Sequence, residues 1–182
     1  MRITPTAIPD VLLIEPVPHR DSRGVFVETW HAAGYSSAGI VSPFVQDNQS
    51  RSVRHTLRGL HYQIEQPQGK LVRVASGRVF DVAVDLRRSS PTFGRWVGAV
   101  LSDETHEQLW IPPGFAHGFY VLTEHADVAY KCTAYYAAQD ERTLAWDDPA
   151  LSIAWPLVAA APPLLSAKDA AGLGLRDAPV YA

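Results

Sequence analysis

The chain has 182 residues, a mass of 20.0 kDa, 47 % hydrophobic residues and a formal net charge of -3, which fits one domain with a core of its own and excludes disorder for most of its length. The acidic balance argues against coating a nucleic-acid polymer, which needs clustered Lys and Arg, but leaves room for a local basic pocket that takes one small anion. A single cysteine, Cys132, rules out an intrachain disulfide and a thiol cluster, while Met1 to Thr6 lacks a signal-peptide core and no window is apolar enough to span a bilayer, so a soluble, cytoplasmic protein is expected.

Val11 to Glu15 is a short apolar run stopped by Pro16 and Pro18, which suits a strand. A turn follows at Asp21-Ser22-Arg23-Gly24, and Val25 to Trp30 leaves it as a second strand, with Phe26, Glu28 and Trp30 on one face. Residues 31 to 42 read as a loop with room for one helical turn. Phe44 to Ser50 ends in Gln46, Asp47, Asn48 and Gln49, a polar stretch that fits either a turn or a segment that reads a base edge. The run Leu57-Arg58-Gly59-Leu60-His61-Tyr62-Gln63 is extended, and strict alternation would put Arg58 and His61 on opposite faces unless Gly59 allows a bulge.

Lys70 to Ala75 and Arg78 to Leu86 are alternating runs separated by Ser76-Gly77 and predict a hairpin, with Asp81 and Asp85 on the face opposite Phe80, Val82, Val84 and Leu86. Further strands are predicted at 96 to 101, 108 to 112, 117 to 123 and 126 to 136, the last placing Tyr130, Cys132 and Tyr136 on one face. Short strands, Gly/Pro turns and little helical periodicity before residue 160 predict an all-β sandwich or barrel over a single domain, 1–182. Ser166 is a plausible N-cap for one or two helical turns ending before Gly172, and residues 175–182 read as a tail.

Of seven histidines, His19, His31, His55, His106 and His125 lie in polar surroundings and read as solvated. His61 and His117 differ, because each leaves a glycine-containing turn for a strand. A double-stranded β-helix of the cupin class would set them on neighbouring strands, and Pro113-Gly114-Phe115-Ala116-His117 is similar to that class's second motif. The first motif normally supplies His-x-His, whereas here it reads His61-Tyr62-Gln63. Two imidazoles leave a first-row metal short of its usual three or four protein ligands, so no metal is expected.

Eight runs in order resemble one family, the dTDP-4-dehydrorhamnose 3,5-epimerases. They are Asp21 to Gly24, Phe44 to Asn48, Leu57 to Gln63, Gly69 to Arg73, Val79 to Asp85, Trp110 to Phe119, Tyr130-Lys131 and Ser166 to Ala170. The resemblance implies a metal-free cupin (jelly-roll) barrel, working without a cofactor as a homodimer. It would invert C3 and C5 of dTDP-4-dehydro-6-deoxy-D-glucose to give dTDP-4-dehydro-L-rhamnose. It makes His61 the general base, Tyr130 the general acid, Asp169 the carboxylate that orients the base and Lys70 the cation near the 4-keto oxygen. His117, Glu141 and Lys168 become substrate contacts, Arg23 and Arg58 phosphate contacts, and Glu28, Gln46, Asp47 and Asn48 contacts to the nucleotide. Tyr136, on the predicted face of Tyr130, is a candidate pocket liner, and Asp81 is a second candidate partner for His61.

The residue types suit that chemistry. A carbon-bound proton beside a ketone becomes removable when the charge spreading onto the carbonyl oxygen meets a cation. Histidine is a base largely unprotonated at neutral pH, and a carboxylate on its other nitrogen fixes the tautomer. Inversion then needs an acid on the far side of the ring, which a phenol supplies. An epimerase acting at C3 or C5 alone, a metal-dependent cupin enzyme and a non-catalytic nucleotide-sugar binder are the rivals.

Overall fold

Alternating strands account for most of the computed structural model, which describes residues 1–158 and 162–182. The elements in order are β1 (Arg2–Pro5), β2 (Leu12–Glu15), β3 (His19–Asp21), β4 (Gly24–Phe26), α1 (Ala32–Ser36), β5 (Gln46–Val53), β6 (Leu57–Gln63), β7 (Lys70–Ser76), β8 (Arg78–Asp85), β9 (Trp96–Ser102), β10 (Gln108–Ile111), β11 (Phe115–Val121), β12 (His125–Cys132), β13 (Glu141–Thr143) and α2 (Ala167–Ala170). One sheet has the order β1-β2-β10-β7-β12-β5, the other β13-β6-β11-β8-β9, and β3 and β4 form a separate hairpin. This is the expected cupin-like sandwich, all-β with two short helices. No helix among the described residues is long and apolar enough to cross a membrane.

Three apolar clusters hold the layers. Val72, Val74, Val79, Ala83, Leu101, Leu109, Val121 and Val128 fill one end of the space between the sheets. Leu60, Tyr62, Val82, Val84 and Leu86 lie on the outer face of the five-stranded sheet, under a C-terminal cover that includes Leu151, Ile153, Trp155 and Tyr181. Ile14, Leu71 and Trp110 on the other sheet receive Tyr35 of α1 together with Trp30 and Phe44. Both sheets thus carry apolar packing on both faces, and each fully buried aliphatic side chain contributes roughly 1.5–3 kcal/mol.

Several expectations change. The runs on either side of Ser76-Gly77 do not form a hairpin: β7 pairs with β10 and β12, while β8 pairs with β11 and β9 in the opposite sheet. Gly77, at φ +81°, turns the chain across the sandwich, and a Cβ there would stand 2.2 Å from the His125 carbonyl oxygen. Alternation cannot distinguish a return beside the same strand from a crossing to the facing sheet.

The strand expected at 25 to 30 stops at Phe26, because no third strand flanks the hairpin. The Thr29 carbonyl instead accepts hydrogen bonds from Tyr35 Oη and Gln108 Nε2. Gln46 to Val53 is neither turn nor loop but the edge strand β5, paired along its length with β12. The strand read as 126 to 136 ends at Cys132. Residues 175–182, read as a tail, dock on the barrel: Tyr181 Oη donates to the Gln63 carbonyl and its N–H to the Leu86 carbonyl. His55, read as solvated, is half-buried with Nδ1 2.7 Å from Tyr120 Oη, and His106 has a buried Nε2.

The bulge at Gly59 is present. His117 pairs with His61 and Phe119 with Arg58, so β6 uses three residues where β11 uses two, and Arg58 and His61 reach the same side. Gly59 has φ +116°, and a Cβ would come within 2.6 Å of both Gly118 Cα and the His117 carbonyl oxygen. Gly59→Ala should therefore lower stability by about 3 kcal/mol, a drop in Tm on the order of 10 °C, and abolish function by turning Arg58 away. A thermal melt and a ligand-binding assay check this, and wild-type values in both would contradict it.

Candidate active site

Inward-facing residues change character along the strands. On β12, Ala126 and Val128 belong to the apolar core, whereas Tyr130 and Cys132 line a cavity of about 330 Å³; on β7, Val74 and Val72 give way to Lys70. The five-stranded sheet contributes His61 and Arg58 from β6, His117 and Phe119 from β11 and Glu141 from β13. The cavity thus has an imidazole wall and a phenol-and-ammonium wall, one from each sheet.

His61 Nε2 donates to Asp169 Oδ1 at 2.6 Å, which leaves Nδ1 as the free acceptor. Asp169 is 3 % exposed, and it also accepts the Gly59 N–H on Oδ1 at 3.2 Å and the Ser166 hydroxyl on Oδ2 at 2.7 Å. Ser166 and Asp169 form a reciprocal capping box at the start of α2, so a helix cap fixes the carboxylate's orientation. Asp169, rather than Asp81, is the partner of His61. Burial lowers the His61 pKa, and the Asp169 hydrogen bond offsets part of that shift. Burial alone would raise Asp169, but the bonds from His61 and Ser166 hold it well below the usual carboxylate range. The pair therefore stands as a neutral imidazole beside a carboxylate.

On the other wall burial raises the Tyr130 pKa, which keeps the phenol protonated at neutral pH. Burial lowers the Lys70 ammonium, with the electrostatic influence of Cys132, Asp81 and Glu141 opposing it. Lys70 Nζ donates to the His61 carbonyl at 3.4 Å, and no carboxylate forms a salt bridge with it among the described residues. A buried cation with so little compensation can interact strongly with an incoming negative charge.

Asp81 instead holds His117, whose Nε2 lies 2.9 and 3.0 Å from its two carboxylate oxygens. Both side chains are buried, so removing either partner would cost roughly 3–5 kcal/mol. Each cavity histidine thus commits Nε2 to a carboxylate. Among the described residues, no group of three or more His, Cys, Asp or Glu side chains is arranged to hold a metal ion.

Gln46, Asn48, Arg58, His117, Tyr136, Glu141 and Lys168 line the cavity together with His61, Lys70 and Tyr130. Arg58 Nε donates to Ser52 Oγ, Lys168 Nζ to Glu141 Oε1, and Tyr136 Oη to Glu141 Oε2. Three expected contacts are not among the lining residues. Asp47 points outward to Lys131 at 2.7 Å, because its neighbours Gln46 and Asn48 take the inward positions of β5. Arg23 sits on the β3–β4 hairpin, where it pairs with Asp21, and Glu28 follows that hairpin. Ser50, Tyr62, Gln63, Gln68, Gly118 and Phe119 also line the cavity and are not among the expected site residues. Two-residue steps from Asn48 and His117 would have found Ser50 and Phe119; Gln68 lies in a loop and offers no periodic signal.

Comparison with known proteins gives one answer. The family model described as dTDP-4-dehydrorhamnose 3,5-epimerase matches residues 5–177. A dTDP-4-dehydrorhamnose 3,5-epimerase of Pseudomonas aeruginosa is 56 % identical over 182 residues, which are 100 % of this chain and 99 % of that one. The crystal structure of a dTDP-6-deoxy-D-glucose-3,5-epimerase from Legionella pneumophila, in complex with dTDP-4-keto-L-rhamnose, superposes with a TM-score of 0.94 at 53 % identity, covering 97 % of this chain and 93 % of that one. ChmJ, a 3'-monoepimerase from Streptomyces bikiniensis solved with dTDP-quinovose, superposes with a TM-score of 0.88 at 34 % identity, covering 94 % and 87 %. A two-walled acid-base cavity on this sandwich, matched over nearly the whole chain, places the protein in the dTDP-4-dehydrorhamnose 3,5-epimerase family.

Proposed function

We propose that this chain inverts C3 and C5 of dTDP-4-dehydro-6-deoxy-D-glucose, giving dTDP-4-dehydro-L-rhamnose, with its own side chains as acid and base. The observation that carries this reading is that His61 and Tyr130 come from facing sheets yet line one cavity. His61 Nδ1 removes the proton next to the 4-keto group, and Asp169 stabilises the imidazolium that results. The pair of electrons moves onto the carbonyl oxygen, where the Lys70 ammonium meets the charge as it develops. As the electron pair moves back from oxygen to carbon, Tyr130 gives a proton to the opposite face of the ring; Tyr130 then regains a proton from solvent and His61 releases its proton to solvent before the next inversion. Arg58 and Lys168 supply cations for the diphosphate, while Gln46, Asn48 and Tyr136 contact the nucleotide. Both imidazoles already hold carboxylates through Nε2, which supports a reaction run by proton transfer.

We infer a cytoplasmic homodimer, in which the one-domain chain offers its hairpin to a second copy. Phe26 and Val25 of that hairpin are exposed, and neither Arg23 nor Glu28 lines its own chain's cavity. A second copy would supply these two groups to the mouth of the site. Light scattering should give twice the chain mass, and Arg23→Ala should raise KM while leaving the dimer intact. A monomer with full activity would end this part of the reading.

Substrate incubated with enzyme in heavy water should gain deuterium at both C3 and C5, read by NMR. Uptake at C3 alone would assign the chemistry of a monoepimerase instead. His61→Asn should stop uptake, whereas Tyr130→Phe should impair completed inversion more than proton loss; equal loss of both would refute the division of roles. Full activity after exhaustive chelation is expected, and a requirement for added metal would overturn the proton-transfer mechanism.

The pH profile has a defined shape. The acid limb of kcat/KM follows deprotonation of His61, whose pKa burial places below 6.5, and the alkaline limb follows loss of the Lys70 proton below 10.5. Asp169 raises His61, so Asp169→Asn should move the acid limb to lower pH and reduce kcat by about a thousandfold or more. An acid limb that moved upward would contradict the pairing.

A further inference from the structure

Gln63 occupies the place of the second histidine in the cupin His-x-His motif, and the mechanism above gives it no task. Its side chain is 2 % exposed at the end of β6. Nε2 donates to the Gln66 carbonyl at 2.8 Å and the Tyr135 carbonyl at 3.2 Å, and Oε1 accepts the Ala137 N–H at 2.9 Å. Both amide hydrogens and the oxygen are therefore in use.

These bonds join two connections of the chain. Gln66 belongs to the segment between β6 and β7, and Tyr135 and Ala137 belong to the segment after β12. Asp140 ties the same two segments together by accepting the N–H groups of Ile64, Glu65 and Gln66 at 2.8 to 3.1 Å. Between the two groups held by Gln63 lies Tyr136. Its N–H donates to Gln46 Oε1 at 2.8 Å, and its ring, half-exposed, stands at the cavity rim. The backbone on each side of Tyr136 is thus fixed by one buried amide.

We propose that Gln63 is a positioning residue that presents Tyr136 to the nucleotide end of the substrate. This rests on the function proposed above. His61 is held by Asp169, Lys70 by the His61 carbonyl, and Tyr130 by the pairing of β12 with β5 and β7 and by packing on His117, so loss of the clamp acts on binding rather than on proton transfer. Gln63→Ala should raise KM for the dTDP-keto sugar, and Kd for dTDP alone, about tenfold, with kcat within about twofold of wild type.

Tyr136→Ala should do the same, and the double variant should be no worse than either single one, because both changes remove the same contact. A fall in kcat at unchanged KM, or single effects that multiply in the double variant, would overturn the proposal. Should Gln63→Ala fail to fold, hydrogen exchange on the wild-type chain decides: the Ala137 amide is expected to be protected, and rapid exchange there counts against the clamp. The dTDP arm reads binding alone, so a chain that binds dTDP without epimerising the sugar would sink the assigned reaction and leave the clamp open to the same comparison.

Discussion

The Asp169 carboxylate is where three separate parts of the chain meet. One oxygen takes the His61 ring N–H and the backbone N–H of the β6 bulge, and the other takes the hydroxyl that caps α2. A carboxylate buried this deeply is stable only when its lone pairs are filled, and here the filling groups are the His61 imidazole, the irregularity that aims that imidazole, and the segment that carries the carboxylate itself. That segment is clipped to the barrel on both sides of α2. Leu164 exchanges hydrogen bonds with His55 and Leu57, and Leu173 with Thr143 and Ala145. Register in β6, capping of α2 and orientation of His61 are therefore one coupled arrangement, and a change in any of them reaches the others.

The same economy governs the interior. Each inward face spends one end of its strands on apolar packing and the other on polar groups, so the site is built from the strands that make the core rather than from surface loops. Low dielectric then works in two directions. It lowers the proton affinity of the basic groups His61 and Lys70 and raises that of Tyr130, so that at neutral pH the imidazole is free to take a proton and the phenol holds one to give. It also makes the Lys70 charge effective at short range, because little solvent stands between that ammonium and a neighbouring oxygen.

Much of this was legible in the sequence for identifiable reasons. Alternation of period two located most strands of both sheets and put Tyr130 and Cys132 on one face, since a strand records burial in every second residue. The bulge was legible because Gly59 interrupts a run that would otherwise point Arg58 away from His61. What alternation lacks is partner choice: Ser76-Gly77 looks like a hairpin turn whether the next strand returns beside the first or crosses to the facing sheet. For the same reason Asp81 and Asp169 both remained candidates for His61, and only the pairing of β8 with β11 assigns Asp81 to His117. The resemblance groups Asp47 with Gln46 and Asn48 as nucleotide contacts; on strand β5 those two neighbours face the cavity and Asp47 faces Lys131. Arg23 and Glu28 were grouped with the site through resemblance, and one chain's geometry leaves them outside its cavity.

A sandwich is well suited to inversion because it has two inner surfaces. A sugar ring lying between the sheets presents one face to each, so a base from one sheet and an acid from the other approach from opposite sides without either moving. A single helix or loop carrying both groups would deliver them from the same side and favour retention. The cupin frame already aims its histidines inward. Here Nε2 of His61 and of His117 is bound to a carboxylate, and the amide at Gln63 is spent on backbone groups. The two imidazoles, neighbours across β6 and β11, therefore form separate dyads. His61 Nδ1 then remains as a proton acceptor facing the cavity.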